Sequence, residues 1–350
     1  QEFQLVFSGS SRWSGVLGFY YFDGLAGGEV EAIFFTNFPN TTTGETETKS
    51  YAVYADAAIK LTDRLTLNLG VRPTREEKHG TAFNVFNIPP DDFSSYYFVA
   101  GEFDEEATFT SWAPKLGLDY QFNPDVMGYV KVNRGFKSGG FNVRAQNNLY
   151  PVRDVVVDDE VMTVAEVGVK SALANGSLIL NAAAFVGDYT DIQVSTFTSF
   201  DSDGDGQDDA FFGNFLNAGD ATMSGLEVEF DWTSQTATWL GLSGNLSYLD
   251  ADADLLDEDN DGFVDTQVIT NAPELTGALN LNVNFAAWGG LISGSVGYSY
   301  RDDSVLTNEG NGVQPIMQES YDLLNAWVSW LSGDGKWRFG IVGLSLIHIS

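Results

Sequence analysis

The chain has 350 residues, no cysteine and a formal net charge of −32. That acidic balance excludes a nucleic-acid partner, which needs a basic stripe for phosphate. The missing cysteine excludes a disulfide scaffold and thiolate metal sites. No run reaches the ~18 consecutive apolar residues of a membrane helix, but that test is blind to barrels, whose alternating strands average to neutral.

Strand-like alternation begins at Phe3–Phe7 and returns at Val16–Phe22 after a Ser/Gly turn. A long polar stretch with Gly27-Gly28 and Asn40-Thr41-Thr42-Thr43 reads as a connection. Tyr51–Leu61 turns at Thr62-Asp63-Arg64 into Leu65, Leu67, Leu69 and Val71, which alternate with Thr66, Asn68, Gly70 and Arg72. A second long, acidic connection runs to about Ala107. Phe109–Phe122 then turns at Asn123-Pro124-Asp125 into Tyr129–Phe136. Val161–Lys170 meets Leu178–Val194 across Ala174-Asn175-Gly176, a strong turn signal. Ser224–Trp232 meets Trp239–Tyr248 across a short Thr/Ser turn. Leu279, Leu281, Val283 and Phe285 alternate with Asn280, Asn282 and Asn284, and Ala286–Gly289 leads into Ile292–Tyr300. Tyr321–Leu331 turns at Gly333-Asp334-Gly335 into Trp337–Ile341.

Leu226, Val228, Phe230 and Trp232 interleave with Glu227, Glu229 and Asp231. Successive side chains of a strand point to opposite faces, so one face is apolar and the other carries carboxylates. A soluble sandwich and a membrane barrel both fit one such strand. The connections decide, because short turns alternate with long polar loops along the whole chain. This parity predicts an all-β, transmembrane antiparallel β-barrel with short periplasmic turns and long extracellular loops. About fourteen strands of roughly 8–15 residues are visible, a membrane-spanning length once tilted. Glu227, Glu229, Asp231, Asn245, Asn280, Asn282, Asn284, Lys131 and Arg72 are predicted to face the lumen.

Tyr129-Val130-Lys131-Val132-Asn133-Arg134-Gly135-Phe136-Lys137-Ser138-Gly139-Gly140-Phe141-Asn142 resembles the most recognisable barrel strand of TonB-dependent outer-membrane receptors. Leu61–Leu67 with Gly70-Val71-Arg72 resembles an earlier hairpin of that family. Glu166-Val167-Gly168-Val169-Lys170-Ser171 with Phe185 and Tyr189–Gln193 resembles the next, and Asn217-Ala218 with Ser224–Glu229 the one after. These residues mark strand geometry and identify a fold, not a binding site. The resemblance implies a barrel of about 22 strands with a plugged lumen. Residues 1–343 then read as a partial barrel, about 14 of 22 strands, without the plug, its TonB box, the first strands or the last. Gln1, preceded by no signal peptide, likewise reads as a processed or truncated start.

The resemblance further implies energy-coupled import in the outer membrane of a bacterium, with no enzymatic activity and no cofactor for transport. Its partners would be the TonB–ExbB–ExbD complex, through the plug, together with outer-membrane lipid and a nutrient ligand. Ferric siderophore or a similar iron complex is the first expectation for cargo; saccharides, cobalamin and haem are alternatives. A passive porin or structural barrel is the competing class.

Two loops carry acids at positions 1, 3, 5 and 9 around a glycine at position 6. They are Asp201, Asp203, Asp205 and Asp209 with Gly206, and Asp257, Asp259, Asp261 and Asp265 with Gly262. Calcium takes six to eight oxygens, and alternating carboxylates around a glycine turn suit it. Position 12 is Phe212 or Val268, so the bidentate glutamate of an EF-hand is absent. Calcium in extracellular loops is one reading and a solvated acidic surface the other. With only His79 and His348, a histidine-based triad, zinc or haem site is not expected. The tail, residues 344–350, resembles a translated sequencing-library adapter and is expected to be foreign.

Overall fold

The computed structural model describes all residues except 9–11, 35–37, 88–95, 146, 149–154, 201–209, 218, 256–268, 308–315 and 346–350. The strands are, in chain order, β1 (Glu2–Phe7), β2 (Trp13–Phe34), β3 (Phe38–Lys60), β4 (Leu65–Val71), β5 (Pro73–Asn87), β6 (Tyr96–Trp112), β7 (Lys115–Asn123) and β8 (Val126–Lys137). There follow β9 (Gly140–Phe141), β10 (Val156–Val157), β11 (Glu160–Leu173), β12 (Leu178–Thr190), β13 (Gln193–Phe200), β14 (Ala210–Asn217), β15 (Gly219–Thr233) and β16 (Leu240–Leu255). The last are β17 (Leu275–Ala287), β18 (Gly290–Arg301), β19 (Ser304–Thr307), β20 (Ile316–Gln318), β21 (Tyr321–Ser332) and β22 (Arg338–Gly343).

Sixteen of these form one antiparallel sheet, and three small two-stranded pairs stand beside it. β4 runs on into β5 past Arg72, and β6 into β7 past Ala113-Pro114; Arg72 and Ala113 exchange both backbone hydrogen bonds at 3.1 Å across that break. Pro114 has no N–H for a ladder, which is why the break falls there. The path from β1 to β22 therefore crosses fourteen staves, the number expected. Six of the seven short turns lie where the sequence places them; the first, the Ser/Gly turn before Val16, includes residues 9–11, outside the described residues. Ala287 pairs with Gly290 around Trp288 and Gly289, both at positive φ (50° and 69°), the two-residue hairpin geometry that matches strand twist.

Register carries the faces around the wall. Ile59, Leu67, Leu118, Val130, Val167, Ala184 and Leu226 form one row, each opposite the next. Toward the long-connection end this outward row turns from apolar to charged at one level. Tyr21 gives way to Asp23, Val132 to Arg134, Val186 to Asp188, Tyr248 to Asp250 and Leu324 to Asp322. Between turn and charge lie some eight to ten residues, close to the length of a tilted transmembrane strand.

Two expectations are corrected here. The polar stretch after Phe22 and the acidic one before Ala107 are not loops over most of their length. β2 and β3 pair from Trp13↔Ile59 up to Phe34↔Phe38, and β5 and β6 from Pro73↔Trp112 up to Asn87↔Tyr96. Above the charged boundary both faces meet water or other protein. Such strands need no apolar alternation, and the threonines Thr41, Thr42, Thr43, Thr46 and Thr48 supply β-branched side chains instead. Likewise Phe109–Phe122 is two strands rather than one.

Among the described residues the largest fully buried side chains are Val85, Val157, Asn84 and Asn142, all at the rim rather than midway down the wall. Val85, Ala100, Phe141, Ala145 and Val157 cluster at the rim, where the upper halves of β5 and β6 meet residues 139–148.

Candidate functional site

The lumen face is built by the same register. Asn181 stands opposite Lys170 and Glu229; Glu229 opposite Asn245; Asn280 opposite Ser243; Asn282 opposite Ser295. Glu227, Asp231 and Asn284 share this face, as do Lys131, opposite Glu166, and Arg72, two residues beyond Gly70. Every residue that alternation assigned to the lumen falls on the one face opposite the apolar row.

These side chains are tied across strands. Lys131 Nζ lies 2.8 Å from Glu166 Oε1, to which Tyr129 Oη also donates at 2.5 Å. Asn181 Nδ2 donates to Glu229 Oε1 (2.6 Å), Asn68 Nδ2 to Asp119 Oδ2 (2.8 Å), and Lys115 pairs with Asp56. Tyr129, Glu166, Lys170, Asn181, Glu227 and Glu229 line an open concavity of about 400 Å³. This is a polar, hydrogen-bonded face of the wall.

The rim holds a second network that the sequence does not announce. Lys78 Nζ donates to the Gly139 carbonyl (2.6 Å), lies 3.2 Å from Glu76 Oε2 and caps the Phe109 ring at 5.4 Å. Gly139 N–H donates to Asp159 Oδ1 (2.7 Å), whose other oxygen accepts from Ser111. Burial pushes the Asp159 carboxyl above the usual range, against the pull of the Gly139 N–H. At Glu76 burial works upward too, but the Ser138 hydroxyl and Lys78 outweigh it and hold the carboxyl low. Next along the chain, buried Glu160 accepts from Tyr189 Oη and the Gln193 N–H, both at 2.7 Å, and meets Lys137 at 3.3 Å. Asn84 Nδ2 donates to the carbonyls of Val143 (3.0 Å) and Ala145 (2.9 Å). Together these bonds strap residues 138–148 to the inward face of β5 and β6.

The Ser138-Gly139-Gly140-Phe141 part of the recognisable strand segment gains a physical role here. A Cβ on Gly139 would sit 2.2 Å from the Phe109 ring and 2.2 Å from the Val157 carbonyl oxygen. A Cβ on Gly80 would meet the Phe141 ring at 2.3 Å. The strap is seated through absent side chains. No periodicity signals this, because the partners are 18 to 61 residues apart.

The two aspartate loops, Asp201–Asp209 and Asp257–Asp265, lie outside the described residues, as does the greater part of the 344–350 tail. Their flanking strands, β13 with β14 and β16 with β17, end on the side of the long connections. Among the described residues no group of three or more His, Asp or Glu is arranged to hold a metal ion.

The family model for the TonB dependent receptor-like β-barrel matches residues 1–343. Among solved structures, the chain is similar to the ferric yersiniabactin uptake receptor FyuA from Yersinia pestis. The identity is 16% and the TM-score 0.76, over 99% of this chain and 48% of that one. It is also similar to the ferric citrate transporter FecA (11%, TM-score 0.60, 99% and 56%) and to the ferric-catecholate import receptor Fiu from K12 E. coli (13%, TM-score 0.58, 99% and 55%). At such identities the likeness is one of fold, and the chain spans about half the length of these receptors. The open sheet, its partitioned faces and its alternating connections agree with that fold, which belongs to transport receptors of the bacterial outer membrane and not to enzymes. This chain belongs to the TonB-dependent receptor family, as part of its outer-membrane β-barrel.

Proposed function

We propose that this wall serves TonB-dependent uptake of an iron chelate across the outer membrane, acting with a plug domain and the TonB–ExbB–ExbD complex. The observation that carries the reading is the lumen face: a continuous, hydrated row of amides, carboxylates and paired lysines backed by an apolar outer row. A closed barrel with this partition is a conduit, and the solved structures of like fold are named as uptake receptors for ferric complexes. The test is iron-limited growth and radio-iron uptake in cells expressing the complete gene, with and without TonB and the proton gradient. Uptake that persists without either would replace this reading with a passive porin.

For the loops Asp201–Asp209 and Asp257–Asp265 we infer weak calcium binding from spacing alone. Calorimetric titration of the receptor is expected to show uptake that disappears in Asp205→Ala/Asp261→Ala, and absence of heat in the unmutated receptor ends the idea. Residues 344–350 we take as foreign sequence, to be checked by sequencing the gene from intact genomic DNA.

A further inference from the structure

Among the described residues β13 and β14 pair only with each other, outside the barrel sheet. They grow from β12 and β15 but do not continue that ladder, whose last pair is Tyr189↔Ala221. The chain leaves the wall at Asp191 and re-enters at Gly219, both at positive φ (55° and 134°). Between these feet the Ile192 N–H donates to the Gly219 carbonyl (2.8 Å). Left-handed backbone at both feet of one hairpin turns it as a unit. It turns inward. Glu160 and Lys137 stand opposite one another on the lumen side and both meet it. Glu160 Oε2 accepts from the Gln193 N–H (2.7 Å), and Lys137 Nζ lies 5.9 Å from the centre of the Phe215 ring.

Two side-chain amides fasten the hairpin to the strap. Gln193 Nε2 donates to the carbonyls of Ser138 (3.2 Å) and Asp158 (2.8 Å). Asn217 Nδ2 donates to the carbonyls of Asp158 (3.0 Å) and Asp191 (2.7 Å), and Asn217 Oδ1 accepts from the Asp158 N–H (2.8 Å). Farther out, Arg144 Nη2 donates to Ser195 Oγ (2.6 Å).

The strap therefore has two attachments of different character. On β5 and β6 it is packed. Phe141 and Ala145 are buried, a Cβ on Gly139 or Gly80 finds no room, and buried Asn84 donates to two strap carbonyls. Parting there would expose apolar surface and strand a buried amide. At the hairpin the joint is made mainly by amides and carbonyls, which can exchange their bonds for bonds to water at small net cost. Joints rich in such bonds and poor in apolar burial are where a fold opens first.

We propose that β13 and β14 form a flap, hinged at Asp191 and Gly219 and latched to the strap by Gln193 and Asn217, and that this latch parts while the strap stays seated. The mouth of the barrel then opens on one side, with the strap as its fixed sill. The device rests on the joints alone and is independent of what the barrel carries.

The test uses the complete receptor purified from outer membranes. Amide exchange is read residue by residue by mass spectrometry and corrected for intrinsic rates. The Asp158 and Gln193 amides bond across the latch, whereas the Gly139 amide bonds Asp159, which Ser111 of β6 holds. The first two are expected to exchange at least tenfold faster than the third. In Gln193→Ala/Asn217→Ala, spin labels at position 81 on β5 and 198 on β13 are expected to report a longer and broader distance. Protease cleavage within 139–148 is expected to stay near the unmutated rate in that variant and to rise in Gly139→Ala. Gly139 exchanging level with or ahead of Asp158 and Gln193, an unchanged label distance, or strap cleavage rising in the double variant overturns the latch. Should the double variant fail to fold, the exchange order in the unmutated receptor decides.

Discussion

Lys131 on β8 and Glu166 on β11 stand directly opposite one another, and their charged atoms are 2.8 Å apart on the lumen face. Both retain access to solvent, so water screens the pair. A double-mutant cycle with Lys131→Met and Glu166→Gln, read by urea titration of the receptor in lipid, is expected to give a coupling of about 1 kcal/mol or less. A coupling of several kcal/mol would mean a dry lumen and would contradict the channel assignment.

Leu281 and Asn282 are neighbours in sequence and face opposite ways. Leu281→Arg on the lipid side is expected to cost about 2–4 kcal/mol of folding stability near the bilayer midplane, and Asn282→Arg well under half of that. Depth-sensitive labels check the same partition directly. Positions 228 and 281 should report acyl chains, and positions 229 and 282 should report water.

Gly139 and Gly140 separate a packing requirement from mere composition. Alanine at 139 would press on a carbonyl oxygen that cannot move cheaply, whereas nothing lies within 4 Å of a Cβ at 140. Gly139→Ala is expected to destabilise by about 1–3 kcal/mol and to open residues 139–148 to protease. Gly140→Ala should leave the cleavage rate near that of the unmutated receptor. Equal cleavage in the two variants would remove the strap from the account.

His79 lies on the outward face of β5, above the membrane-spanning level, with Nε2 2.6 Å from Asp104 Oδ1. Glu47 and Glu106 stand opposite it on the flanking strands. The Asp104 hydrogen bond, with these carboxylates behind it, raises the imidazole above its ordinary value of about 6.5. A raised folded-state value means stabilisation that is complete below the unfolded value and lost as pH climbs through the folded one. The difference in melting temperature between the unmutated receptor and His79→Gln is therefore expected to be largest near pH ~5.5 and to fade by pH ~8.5. Asp104→Asn should move the imidazole titration, followed by NMR, to lower pH.

The barrel staves were legible because alternation records a partition between two solvents. Leu226 to Trp232 reads as a membrane strand with no further information, and the parity of connections orients it. The upper halves of β2, β3, β5 and β6 were illegible for the same reason. Where both faces are wet or packed on protein, nothing forces apolar and polar residues to alternate, and Thr41–Thr43 or Glu105-Glu106 look like loop. The lumen residues of the candidate site were readable one by one, but their pairing was not. Register decides that Lys131 meets Glu166 and that Asn181 meets Glu229.

By itself the sequence determined the staves, their inward and outward faces, the short turns and the family, since each rests on neighbours along the chain. Only the tertiary structure decided the height of the extracellular wall and the strap at Gly139. Those depend on groups that are distant in sequence meeting in space, such as Lys78 with Gly139. Local periodicity carries no trace of such meetings.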